Sequence, residues 1–134
     1  MADPKIVSEW LLKADEDFDF ARINLEGENN FYAQICFHFH QAAEKYLKSF
    51  IVAYDLAFEK IHNLMNLLTV CASQDASLLS LMEECERLNT AYIDTRYPVH
   101  WPTDYTKEKA LSLKSDAEKI AAAIKKALKQ GGCV

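Results

Sequence analysis

Apolar residues recur along this chain at steps of three and four, and the pattern divides into five helical segments. From Ile6 to Leu25, the positions Val7, Leu11, Ala14, Phe18, Ala21 and Leu25 define one face, with Asp15, Glu16, Asp19 and Arg22 opposite and Asp17 flanking the buried side. Gly27 and Glu28-Asn29-Asn30 then supply an αL-tolerant stop and a turn. A second helix is predicted over Phe31 to Phe58, with a core stripe of Ile35, Phe39, Ala42, Ala43, Tyr46, Phe50 and Ala53. Cys36, Leu47, Ile51 and Tyr54 widen that stripe, so this helix should be central and touch several neighbours. Gln34, His38, Gln41, Lys45, Lys48 and Asp55 fall on one narrow polar strip.

A short helix is predicted from Ile61 to Ala72, with Ile61, Leu64, Leu68 and Cys71 facing inward. Asp75 or Ser77 is placed to cap a fourth helix that presents Leu78, Met82, Cys85, Leu88 and Tyr92. It should stop near Arg96, because Pro98 disfavours helix at Tyr97. Pro98-Val99-His100-Trp101-Pro102 reads as a stiff link, after which Thr103 or Thr106 caps a last helix built on Ala110, Leu113, Ala117, Ile120, Ile124 and Ala127. Gly131-Gly132 ends it. The expected fold is all-α: an up-and-down bundle of about five helices, four longer and one short, forming a single domain over residues 1–134.

Composition agrees with that class. Half of the 134 residues are hydrophobic and only three are Gly and three Pro, too apolar for disorder and too poor in turn residues for a many-stranded β fold. A formal net charge of −5 argues against coating nucleic acid by charge alone, so any RNA site must be local. The N-terminus meets charge and Trp10 too early for a signal peptide, and no run approaches the ~20 apolar residues of a membrane span. A cytoplasmic protein is expected. Cys36, Cys71, Cys85 and Cys133 are scattered without C-x-x-C pairing, which supports neither a zinc site nor a disulfide framework. His38 and His40 point to nearly opposite sides of a helix, and His40 with Glu44 is an incomplete ligand set, so neither metal nor other cofactor is expected.

Three stretches in order carry a family resemblance: FHFHQAAEKYLKSFIV in the second helix, IHNLMNLL at the short helix, and AYIDTRYP closing the fourth, after WLLKADEDFDFARINL in the first. Its most specific elements are Gln41-Ala42-Ala43-Glu44-Lys45 with Lys48, then His62, then Arg96-Tyr97-Pro98. From about Trp10 to Leu128 the chain resembles a prokaryotic HEPN domain, the α-bundle family named for nucleotide binding in higher eukaryotes and prokaryotes. The resemblance implies a homodimer that associates with a minimal nucleotidyltransferase as one half of a toxin–antitoxin pair. In the wider superfamily it also implies metal-independent ribonucleases, which carry an Arg followed after four to six residues by a His. There the histidine moves the proton of the RNA 2′-hydroxyl and the arginine holds charge on phosphate. Here Arg96 and His100 have only three residues between them, shorter than that motif.

Each candidate residue has a functional and a structural reading. Arg96 follows Leu88 and Tyr92 at helical spacing, as either a phosphate fork or a partner for an acid such as Asp17. Tyr97 suits base stacking or a dimer interface. His100 is a proton carrier or an exposed loop residue. Gln41, Lys45 and Lys48 form either a phosphate-binding strip beside Arg96 or a solvated face with Glu44 and Lys48 paired. His62 is expected to cap the short helix or bond a backbone carbonyl. Trp101, Tyr97 and Tyr105 cluster around the link as a partner surface or as packing over the bundle end, and the Lys119–Lys129 stretch reads as a solvated face. Three functions stay open: a HEPN nucleotide-binding and interaction module paired with a nucleotidyltransferase, a metal-independent endoribonuclease using Arg96 and His100, and a ligand-free helical scaffold.

Overall fold

The computed structural model describes residues 2–57, 60, 62–94 and 105–134, with the side chains of Ile93 and Asp94 left out. Its elements are α1 (Pro4–Glu26), α2 (Tyr32–Ala53), α3 (Leu64–Gln74), a 3₁₀ turn (Ala76–Leu81), α4 (Met82–Asp94) and α5 (Lys107–Gln130). Five α-helices and no strand occur among the described residues. α2 packs against α1, α3, α4 and α5, which is the central position its wide apolar surface predicted. Phe39, Tyr46 and Phe50 are at most 1% exposed there. Each contributes roughly 1.5–3 kcal/mol by leaving water.

The helix ends are local chemistry. Asp3 accepts a hydrogen bond from the amide of Lys5, and Pro4 opens α1 with its φ already helical, so α1 starts ahead of the expected Ile6. Gly27 stops it in an extended conformation rather than in αL. Asp75 accepts from the amide of Ser77 to start the 3₁₀ turn, which makes the first part of the fourth segment 3₁₀ instead of α. Thr106, one of two candidates, caps α5 by accepting from the amide of Lys109.

α2 ends at Ala53, short of the expected Phe58. Asp55 takes φ 52°, while the amide of Leu56 donates to the carbonyl of Ile51 at 2.9 Å and that of Asp55 to Val52 at 3.2 Å. These are the two bonds of a Schellman motif with aspartate in the seat usually held by glycine. The same pair of bonds closes α5, where Gly132 has φ 71° and Cys133 folds back into the core. Between α2 and α3 the expected start at Ile61 is also corrected, because Asn63 accepts from the amides of Met65 and Asn66 and α3 begins at Leu64. Asn89 of α4 accepts from the amide of Leu64 at 2.9 Å, fixing α3 against α4.

Candidate functional site

The polar residues of α2 do not form one strip. They divide between two sides of the helix, because the bundle surrounds α2 and each residue meets a different neighbour. His38 and Lys45 face α1, where Nδ1 of His38 lies 3.2 Å from Asp17 Oδ1 and the Lys45 ammonium donates to the other oxygen of Asp17. The His38 ring rests on Phe20, with centroids 4.5 Å apart. Lys45 is therefore charge-neutralised, although about a third of its side chain stays accessible at 31%.

On the other side lies a cluster of Glu44, Lys48, His40, His62 and Tyr92. The Glu44 side chain is 5% exposed and the Lys48 side chain 9%. Glu44 Oε2 accepts from Lys48 Nζ at 3.1 Å, the i, i+4 pairing open in the sequence, while Oε1 lies 2.9 Å from Nδ1 of His62. Asn63, not His62, caps the short helix, and the His62 imidazole reaches back to α2, with no bond from its ring to a carbonyl among the described residues. Its ring stacks on Tyr92 of α4 with centroids 4.9 Å apart and planes 15° from parallel. The His40 ring meets the same tyrosine at 5.1 Å.

His40 is fully buried, with Nδ1 3.2 Å from the side-chain oxygen of Gln41. Burial pushes its pKa below the ordinary 6.5, against the opposing pull of Glu44, Gln41 and the His62 backbone. Gln41 thus belongs to this cluster rather than to the Lys45 side. Arg96, Tyr97, His100 and Trp101 lie outside the described residues. Tyr92 stands four positions before Arg96 in the sequence. Glu44, His62 and Tyr92 were all visible in the family pattern or the periodicity, but nothing in either signalled that they touch.

A second polar group lines an open cavity of about 510 Å³ between α1, α2 and α5. Asp15, expected on the solvated face, accepts from the Tyr46 hydroxyl and from Lys125 Nζ, the latter at 2.8 Å. Burial, followed by the bond to Asp15, raises the Tyr46 pKa. Among the described residues no group of three His, Cys, Asp or Glu side chains could hold a metal ion, and no helix is long and apolar enough to cross a membrane.

The chain is a helical bundle around a central α2, and residues 7–127 match the HEPN domain: the chain belongs to that family. A relative in Methanocaldococcus jannaschii, named "Putative toxin MJ1304", is 26% identical, with 90% of this chain and 87% of that one covered. The crystal structure of TT1696 from Thermus thermophilus superposes with a TM-score of 0.79 at 28% identity, covering 90% of this chain and 96% of that one. ST0689, described as an archaeal HEPN homologue, shares the fold with a TM-score of 0.73 at 24% identity, over 96% and 99% of the two chains.

Proposed function

We propose that this protein is the toxin-side HEPN component of a toxin–antitoxin-like pair, acting in the cytoplasm as a homodimer that binds nucleotide or RNA and is controlled by a minimal nucleotidyltransferase. The observation that carries this reading is the toxin-named relative aligned along 90% of the chain. That alignment is supported by the cluster at Glu44, Lys48 and His62, which unites two of the sequence elements most specific to the family. In this reading Arg96 and Tyr97 take phosphate and base. Gln41, Lys45 and Lys48 are the α2 candidates, Lys45 on the side facing α1 and the other two on the side of His62, with Lys45 the more accessible of the two lysines.

Expression of the chain alone should arrest growth of a bacterial host. Co-expression with a minimal nucleotidyltransferase from the same genome should restore growth and yield a complex on affinity purification. A chain that is harmless alone and purifies without that partner would defeat the reading.

The ribonuclease reading, with Arg96 and His100 as catalytic residues, gains from one specific observation. A half-exposed imidazole, His62, is already held by a buried carboxylate, the arrangement that orients a histidine for proton transfer. Metal-chelated reactions with purified protein and RNA separate the two, since only a ribonuclease cleaves.

A further inference from the structure

We infer that His62 is a proton-transferring residue for cleavage of single-stranded RNA and that Glu44 is its positioning residue; this rests on the ribonuclease reading. Four features of the cluster point there. The Glu44 carboxylate is buried and anchored by Lys48, so it cannot follow His62 outward. It receives Nδ1 of His62 at 2.9 Å, which places the ring proton on Nδ1 and leaves the lone pair on Nε2. Tyr92 stacks along one face of the ring and fixes its plane. The imidazole nevertheless keeps 47% of its side-chain surface accessible. A ring held in plane by stacking and tethered by a carboxylate, with about half of its surface accessible, is what a general base requires.

A purely structural tether makes different demands. Holding the loop before α3 against α2 needs only a donor to Glu44, which an amide side chain supplies, and it gains nothing from an accessible ring. His40, which packs on the same tyrosine, marks the contrast: it is fully buried, so it cannot reach a substrate. Among the described residues, the titratable groups facing His62 are Glu44 of α2, His40 of α2 and Tyr92 of α4, with Lys48 behind Glu44.

The reaction balances without an added oxidant or cofactor. Nε2 of His62 accepts the proton of the RNA 2′-hydroxyl as the 2′ oxygen forms its bond to phosphorus. The bond from phosphorus to the 5′ oxygen breaks, and that oxygen takes a proton from solvent water. The products are a 2′,3′-cyclic phosphate and a 5′-hydroxyl, and His62 later returns its proton to water.

The test uses the full chain with total bacterial RNA and a mixed-sequence synthetic single-stranded RNA in the presence of a chelator, with termini read by mass spectrometry. H62Q, which preserves a donor for Glu44 but has no basic nitrogen, should lose about 10²–10⁴-fold in kcat. It should bind the non-cleavable 2′-deoxy oligonucleotide as the parent does, and the acid limb of its log kcat against pH should vanish. E44Q can donate its amide to Nδ1 and so reverse the tautomer; it should lower kcat and displace the same limb without weakening binding. Circular dichroism melts confirm that each variant is folded. H62Q cleaving at close to the parental rate overturns this inference and leaves the ribonuclease reading standing. Parental protein that leaves both RNAs intact overturns that reading and this inference with it.

Discussion

Arg87 of α4 grips Asp116 of α5 with two parallel bonds, Nε to Oδ2 at 2.9 Å and Nη2 to Oδ1 at 2.8 Å. The carboxylate is 4% exposed while the guanidinium is about half accessible, so the arginine acts as a lid over a buried acid. The bidentate bonds and the charge of Asp116 hold the Arg87 pKa above its usual value. R87M, which strands the buried carboxylate, should lower the melting temperature by more than the double variant R87M/D116L does. A thermal-melt cycle in which the double variant is the least stable would contradict this account.

The Glu44–Lys48 pair is buried on both sides, so removing Glu44 takes away a carboxylate that lies 3.1 Å from a buried ammonium. E44A should cost about 3–5 kcal/mol in urea unfolding, and E44L/K48M should recover most of it. Equal losses in the single and double variants would show that packing, not the lost charge pairing, sets the cost.

His40 makes stability depend on pH. Its folded pKa lies below the ordinary 6.5, so below that pH the unfolded chain binds more protons than the native one, and stability falls as pH is lowered. The slope from one such group is at most about 1.4 kcal/mol per pH unit. Urea unfolding of the parent and of H40Q between pH 7 and about 5 should show the parent losing more, and parallel curves would remove His40 as the cause.

Cys36, Cys71 and Cys85 are buried thiols, and burial pushes each up to about 12. Thiolate, the reactive form, is scarce at neutral pH, so these three should react with a disulfide reagent only at the rate of global or local opening. Labelling followed by mass mapping checks it. Rapid modification of any of the three in native buffer would be the contrary result.

Arg96→Ala addresses the proposed phosphate contact. Loss of one such contact should weaken RNA binding by roughly tenfold and reduce the salt dependence of the affinity by about one counterion. Fluorescence anisotropy at several salt concentrations measures both, and unchanged binding would remove Arg96 from the site.

Periodicity alone was sufficient to place the five helices and the central role of α2, because a stripe of apolar residues on 3.6-residue geometry can be buried in only one way. Capping chemistry was similarly legible at Asp75, Thr106 and Gly131-Gly132, where the side chain or the glycine acts on its own backbone neighbours. The end of α2 was not, because Asp55 adopts a left-handed conformation that its sequence context does not demand. The family pattern, too, was readable as three ordered motifs.

The chain's order of residues thus determined its helices, its apolar core and its membership of a family. Tertiary structure decided which charges meet. Lys45 and Lys48, three apart on one helix, turn to acids on different helices, and His62 finds Glu44 across a loop rather than the end of its own helix. Glu44–Lys48 follows an i, i+4 spacing that can be counted along α2. The Lys45–Asp17 and His62–Glu44 pairings depend instead on the angle and register at which the helices pack, and those are set by the fit of the whole core.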